Sequence, residues 1–496
     1  MDYYLIRFAQ AHEPFRKPEI EALSRLTDVP CNIVSYSPTS PFCVVQFPHA
    51  SDVTKIQDFG ALSILSRGIY ELWGQGSDYA KLHEDVKVRS RHLWSRFKHV
   101  TFKFSVDVFG HTKSEREKRE IINSFSYLAF EGKISMTSPQ SEFTVFEQWE
   151  SRTWTDADRA NGVANAVADL QTQRVLHQVY LGRKVADSRR QLVDKHDLKK
   201  RPYISTTSMD AELALVTAVL ALAGPCKLVL DPFVGTGGFM VAAAELGAVV
   251  LGSDIDGRSF RGKGAGMENG VGANFKMYGL QNLFGDCITS DLTNTPFRTL
   301  RDADPATKDR WLDGIICDPP YGVREGLKVL GSRPPRSPFS KDSVLGSDPP
   351  SATEPPAVRM IDGVPAHTLP GYIPPKKPYS FVRMLDDILD FAVRTLVDGG
   401  RLAFWMPSAN ENENGEEEAT VIPTHHLLEL KHECVQRFNK WSRRLLVYER
   451  LPGGYLQASR CTASVSEMIN ADGRTADELN PFRKRYFQPS VERNGT

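Results

Sequence analysis

The chain has 496 residues, 41% of them hydrophobic and 25% charged, the balance of a folded globular protein long enough for two or three domains. Its 61 basic and 61 acidic residues cancel to zero formal charge. That excludes an indiscriminate polyanion binder but allows basic side chains gathered on one face. The seven cysteines (Cys31, Cys43, Cys226, Cys287, Cys317, Cys434 and Cys461) show no CxxC spacing, so no metal site is expected within the chain and free thiols in a reducing compartment are.

The start, Met1-Asp2-Tyr3-Tyr4-Leu5, lacks the basic-then-apolar pattern of a signal peptide. The longest uncharged apolar run, Leu213 to Gly224, is too short for a bilayer, which needs ~20 apolar residues. A soluble protein of the cytoplasm, or of the nucleus, without membrane contact is expected.

Residues 1 to 180 read as an α+β region. Strands are predicted over Tyr3 to Phe8, Phe42 to Phe47, Thr101 to Val106 and Glu142 to Phe146. Ser114 to Phe130 has helical spacing, with Ile121, Ile122, Phe125 and Leu128 on one side. Residues 181 to 203 read as a basic linker carrying Arg183, Lys184, Arg189, Arg190, Lys199, Lys200 and Arg201. Such a run is either a solvated face or a strap that contacts RNA phosphates.

From 204 to about 460, apolar strands alternate with helical segments. The strand candidates are Lys227 to Leu230, Ala248 to Gly252, Gly314 to Cys317 and Arg401 to Met406. Continuous aliphatic runs suit strands buried on both faces, so the expectation is an α/β fold with a mostly parallel, doubly wound, Rossmann-like sheet. Two later strands, Leu428 to Cys434 and Arg444 to Glu449, are close enough in sequence for a C-terminal antiparallel hairpin. A Pro- and Ser-rich insert, 332 to 378, is expected to be a mobile loop, and residues 461 to 496 a loose polar tail.

The strongest local signal is Leu228-Val229-Leu230-Asp231-Pro232-Phe233-Val234-Gly235-Thr236-Gly237-Gly238-Phe239, a strand, a glycine turn and a helix. Met240 stands where a dinucleotide fingerprint needs its third glycine, and the Gly-Lys-Ser/Thr of a P-loop is missing. Asp231, just before the turn, suits a ligand with a cationic end, such as the amino group of S-adenosylmethionine. Phe233, Gly235, Thr236 and Gly237 line the turn. Asp254 and Ile255, at the tip of the second strand, are candidates for the ribose end. Asp286, read as the end of a third strand, is the candidate for the adenine amino group, with Asp291 as the substitute. Thr207 and Ser208 lie in a segment that has capping-box form from Thr207 to Asp210. In methyltransferases with this order of motifs such a segment also covers the cofactor's methionine end.

The fourth strand runs into Cys317-Asp318-Pro319-Pro320-Tyr321-Gly322. An exocyclic amine on a base is a weak nucleophile because its lone pair is delocalised into the ring. Asp318 offers a carboxylate to orient the amine, the Pro319 carbonyl a second acceptor, and Pro319 and Pro320 hold the backbone stiff. Tyr321 is suited to stack on an unpaired base.

Taken together, Lys200-Arg201-Pro202-Tyr203, Thr207-Ser208-Met209-Asp210-Ala211-Glu212, Asp231 to Gly237, Gly252 to Arg258 and Asp318 to Gly326 resemble the eukaryotic tRNA guanine-N2 methyltransferases that act on guanosine 10. The resemblance is strong over about 180 to 330 and weaker through Phe438 to Arg444. It implies a class I S-adenosylmethionine-dependent methyltransferase fold, preceded by an N-terminal THUMP domain that grips tRNA. It also implies a small zinc-binding activator subunit as partner, docked near an exposed edge of the sheet. The glycine-rich stretch Gly262 to Gly272 departs from the pattern and is expected to be a flexible loop. Two rival readings stand beside this one: an adenine-N6 methyltransferase acting on DNA or RNA, and a non-catalytic RNA-binding scaffold.

Overall fold

The computed structural model describes residues 3–48, 53–151, 174–262, 269–298, 310–323, 326–331, 360–369, 372, 375–409, 421–438, 441–452, 480 and 482. The chain forms two compact units, Met1–Arg201 with Met209–Gly224, and Pro202–Ser208 with Pro225–Thr496.

The first unit is built on a seven-stranded sheet: β1 (Tyr3–Phe8), β2 (Asn32–Tyr36), β3 (Phe42–Gln46), β4 (Ser66–Gly76), β5 (Phe102–Phe109), β6 (Ser141–Ser151) and β7 (Arg174–Ala186). The order across the sheet is β2-β3-β1-β4-β7-β6-β5, antiparallel except for the parallel pair β5 and β6. Side chains alternate between faces along a strand, so neighbours in sequence feed two different cores. Trp73, Phe143, Val145, Val179 and Leu181 pack on one face with Leu82, Val86, Phe125 and Leu128. Leu72, Phe146 and Tyr180 belong to a second cluster with Leu5, Phe42 and Val44. The helix expected over 114 to 130 is shorter, Glu115–Asn123, with a capping box made by Ser114 and Glu117. A short 3-10 turn, Ser126–Leu128, then carries Leu128 into the core.

Two boundaries differ from the sequence reading. Residues 181–186 are the end of β7, not a linker. The helix Ala211–Leu220, expected in the second domain, belongs to the first unit. All its residues are buried, as an apolar all-round sequence requires. Arg190 binds it, with Nη1 and Nη2 donating to the Glu212 carboxylate at 2.7 and 3.1 Å. The start of this helix is also not the capping box expected from Thr207. Asp210 is the N-cap, and its Oδ1 accepts from the amides of Glu212 and Leu213.

The second unit holds the other seven-stranded sheet: β8 (Leu228–Asp231), β9 (Val249–Asp254), β10 (Phe284–Thr289), β11 (Leu312–Cys317), β16 (Leu396–Ala409), β17 (Leu428–Arg437) and β18 (Trp441–Arg450). Short ribbons separate β11 from β16. They pair β12 (Lys328–Leu330) with β15 (Lys376–Pro378), and β13 (Met360–Ile361) with β14 (Val364–Pro365). The order is β10-β9-β8-β11-β16-β18-β17. The first five strands are parallel, and β18 runs antiparallel to both its neighbours. This is the doubly wound sheet with a terminal hairpin that the alternating apolar runs predict. The helix Phe381–Thr395 turns Met384, Leu385, Ile388, Leu389 and Ala392 inward at helical spacing, against Ile315, Leu402, Phe404 and Leu446.

The Pro-rich insert lies mostly outside the described residues, but its last residues, 376–378, form β15 rather than loop. The tail 461–496 is described only at Asn480 and Phe482, both buried and so not loose. Of the glycine-rich stretch, 263–268 lie outside the described residues, and its end is not loop, since Val271 and Gly272 open the helix Val271–Tyr278. No helix among the described residues is long and apolar enough to cross a membrane.

One carboxylate in the first unit makes its stability depend on pH. Glu19 is fully buried, and Ser63 Oγ and the amides of Ile64 and Leu65 donate to it. Burial pushes its pKa up to about 7 from an ordinary 4.5, against those hydrogen bonds. The folded chain therefore keeps a proton that the unfolded chain releases. Stability is full below the ordinary value and falls as pH rises to about 7, by up to about 3 kcal/mol. In Glu19→Gln this decline should vanish, as read from urea denaturation midpoints at pH values on either side of the window. Parallel curves for the two proteins would refute it.

Candidate active site

Parallel strands bring their last residues to one edge of the sheet, so side chains at the carboxyl tips of β8, β9, β10 and β11 gather over one crevice. Asp231 ends β8. It is buried, and its Oδ1 accepts from the Phe233 amide at 3.0 Å. Asp254 ends β9. Its Oδ2 accepts from the Gly235 amide at 3.1 Å and its Oδ1 from Asp256 at 2.9 Å. A carboxylate has about four acceptor sites, so Asp254 keeps capacity for a ligand while it braces the glycine turn. Asp318 follows β11. Its Oδ1 is shut off from solvent and has no hydrogen-bond partner among the described residues.

These carboxylates sense one another. Burial first, then the charges of Asp254 and Asp318, hold the Asp231 carboxyl well above the usual range. Burial also raises Asp254, against the amides of Asp256 and Gly235. Asp318 is pushed up to about 6 by burial, opposed by the Tyr321 hydroxyl and the Arg443 guanidinium. A crevice with this concentration of buried acid is matched to a positively charged ligand. Among the described residues no His, Cys, Asp and Glu cluster would hold a metal ion.

The glycine turn between Asp231 and the helix Gly238–Glu245 is drawn tight by Val234, whose amide donates to Ser253 O at 2.9 Å and whose carbonyl accepts from Gly237 at 2.8 Å. Phe233, Gly235 and Ile255 are half-buried beside it. Thr236 meets Ser208, hydroxyl to hydroxyl, at 2.9 Å, which joins the upstream segment to the turn. Thr207 is exposed and its amide donates to Ser205 Oγ.

Asp286 is a correction. It does not end the third strand: β10 continues to Thr289. In the register Thr289 faces Asp254, whereas Asp286 faces Leu251, three residues short of the tip. Its carboxylate accepts from the next amide, that of Cys287, at 2.7 Å. The tip belongs to Ser290, whose amide donates to Asp254 O, and to Asp291, whose Oδ2 accepts from Leu330 at 2.7 Å.

Pro319 is buried and Pro320 exposed. The Tyr321 hydroxyl is buried near Asp318, and its ring stands edge-on to Trp441 at 6.1 Å. Arg443 lies over Trp405 at 5.0 Å and Phe438 at 5.5 Å, with Nε donating to Gln436 at 2.6 Å. Trp441 and Arg443 were not singled out from sequence, although the run Phe438 to Arg444 carried the signal. Asn274 carried none. It is fully buried, accepts from the Tyr203 amide at 3.0 Å, and donates to Tyr203 O at 2.9 Å and Thr236 O at 3.2 Å.

The basic run does not form one strap. Arg183 is paired with Glu71 at 2.7 Å and Lys184 with Asp187, while Arg190 is held by Glu212. Arg201 is buried. Charges neutralised or buried in this way are withdrawn from phosphates. Arg189 is half-buried, and Lys199 and Lys200 are exposed.

The strand order, the antiparallel last pair and the acids at the tips define a class I methyltransferase. Residues 1–190 match a family model described as the Tmrp11 THUMP N-terminal domain. A Saccharomyces cerevisiae protein named tRNA (guanine(10)-N(2))-methyltransferase is 41% identical over 491 residues, covering 98% of this chain and 99% of that protein. A Schizosaccharomyces pombe protein of the same name is 34% identical over 526 residues, covering 98% and 96%. Among solved structures, TrmN from Thermus thermophilus overlays with a TM-score of 0.39 at 14% identity, over 90% of this chain and 100% of that one. The chain belongs to the tRNA (guanine(10)-N(2))-methyltransferase family.

Gly237 has φ 76°, and a Cβ there would lie 2.6 Å from Val271 Cγ1. Gly237→Ala combines left-handed strain with a collision, and should destabilise the second unit by about 2 kcal/mol. A lowered melting temperature checks this, and an unchanged one would refute the geometry of the turn.

Proposed function

We propose that this chain transfers a methyl group from S-adenosylmethionine to the exocyclic N2 of guanosine 10 in tRNA, with the turn after β11 as the reaction centre. Membership of the family supports the reaction and its substrate. The observation that carries the site is the buried, unpartnered Asp318 Oδ1, on a carboxyl that the Tyr321 hydroxyl and the Arg443 charge both influence. A buried polar atom without a partner is uncommon in a folded chain, and the charge of this carboxylate is felt by Asp231 in the acidic crevice.

The cofactor supplies a sulfonium-activated methyl group when bound. Asp231, Asp254, Ile255, Phe233, Gly235, Thr236, Gly237, Ser208 and Thr207 form its binding crevice in this reading. The ring end is assigned to the Ser290–Asp291 tip in place of Asp286. Asp318 accepts an amine N–H, and the Pro319 carbonyl accepts the other. The two acceptors favour charge developing on nitrogen, and the prolines spare the backbone any reorganisation. The Tyr321 hydroxyl is buried near Asp318 and opposes the rise in its pKa, while its ring is the candidate to contact the base. Asp318 is also the candidate to receive the released proton.

Lys199, Lys200 and Arg189 are the members of the basic run left for phosphate contact. A small zinc-binding activator subunit is the proposed partner. β10 is an edge strand, paired only with β9 among the described residues, and such an edge can accept a partner's strand. The cytoplasm is the proposed location.

The deciding experiment incubates the chain, with and without a zinc-binding partner, with unmodified tRNA and labelled cofactor, and identifies methylated nucleosides by mass spectrometry. N2-methylguanosine at position 10 is expected. N6-methyladenosine, or no product with the partner present, would overturn the proposal. Asp318→Ala should lower kcat by at least ~100-fold and leave cofactor affinity by calorimetry nearly unchanged. Only ionised Asp318 offers both oxygens as acceptors. Single-turnover rates should therefore climb as pH rises through about 6 and level off above it.

A further inference from the structure

Two residues near the C-terminus reach the reaction centre. Asn480 is 2% exposed, and its Nδ2 donates to the Tyr321 carbonyl at 2.7 Å, across a sequence separation of 159. Phe482 is buried, with its ring 6.1 Å from that of Trp441, the residue that stands edge-on to Tyr321. The same segment thus holds Tyr321 by its backbone and, through Trp441, by its ring.

Gly322 fits this contact. Its φ is 71°, and a Cβ there would lie 2.5 Å from Asn480 Nδ2 and 3.2 Å from Leu327 Cγ. Glycine lets the chain turn left-handed and leaves room for the amide. The turn also needs outside support, because Pro319 and Pro320 have no N–H with which to tie it together.

We propose that Asn480 is a positioning residue for methyl transfer: its side-chain amide clamps the Tyr321 carbonyl and so sets the geometry of the turn that presents Asp318. The inference rests on the reading of that turn given above. Asn480 touches no reacting atom. It acts by keeping the acceptors where the amine must lie, and a displacement of about 1 Å at such a site costs on the order of 100-fold in rate. Among the described residues, Asp231, Cys317, Asp318, Tyr321 and Arg443 are the titratable groups that act on one another at the turn.

Asn480→Asp keeps the size and removes the donor. In this variant kcat should fall about tenfold, with KM for tRNA and cofactor within about twofold of wild type. A protonated carboxyl can donate again, and burial raises its pKa. The ratio of variant to wild-type kcat should therefore recover as pH falls, which lost packing would not produce. Hydrogen exchange at the amides of Tyr321 to Val323 should quicken in Asn480→Asp and in Asn480→Ala, with the amides of β8 and β9 unaffected.

Unchanged exchange at Tyr321 to Val323 in both variants would overturn the clamp. So would a kcat ratio that stays flat with pH, or faster exchange spread across the whole sheet. Failure of the wild-type chain to methylate guanosine would overturn the proposed reaction instead, since the exchange measurement needs no substrate.

Discussion

The gathering of buried Asp231 with half-buried Asp254 and Asp318 at neighbouring strand tips is the constraint around which the second unit is organised. Like charges drawn out of water are costly: burial raises the pKa of all three, and repulsion from Asp254 and Asp318 adds to the rise of Asp231. Backbone amides offset part of that cost: Phe233 donates to Asp231, and Gly235 and Asp256 donate to Asp254. Asp318 has no comparable amide donor among the described residues, and relies on Tyr321 and Arg443. The site is left short of positive charge, and a cationic methyl donor is matched to that deficit. The parallel sheet makes the arrangement possible, because only strands running the same way end side by side.

The one reversed strand, next to the edge of the sheet, completes the site. β18 begins where its neighbour ends, with Trp441 facing Ala409 and Arg443 facing Pro407 in the register. The first residues of an antiparallel strand are therefore level with the last residues of the parallel ones. Trp441 and Arg443 reach the Asp318 turn for that reason. The terminal hairpin supplies both the ring against Tyr321 and the cation that opposes the rise in the Asp318 pKa.

The first unit owes its legibility to alternation along its strands. Phe143 and Val145 lie on one face and Phe146 on the other, as the period of a strand dictates. β1, β3, β5 and β6 were read from sequence, whereas β2, β4 and β7 were not. The ends of elements were less legible. The helix Ala211–Leu220 reads as the opening of the second domain because it follows the Arg-Pro-Tyr segment, yet its apolar surface is buried in the first unit, where Arg190 pairs with Glu212. The basic run misled in a similar way. Charge counted along a sequence does not reveal which side chains will meet an acid, and Arg183, Lys184 and Arg190 each meet one.

What the sequence determined by itself was local: the glycine turn after β8, the acids on β8 and β9, the proline-stiffened turn after β11, and the alternation that makes a parallel sheet. Each depends on residues adjacent in the chain, where φ preference and strand period operate directly. The tertiary structure decided what depends on register and on distant chain. It put Asp291 rather than Asp286 at the tip of β10, because strand pairing sets where a tip falls. It brought Asn274 to Tyr203, Arg443 to Asp318 and Asn480 to Tyr321. No spacing or periodicity encodes such contacts, because they exist only once the sheet has closed and brought remote segments to the same edge.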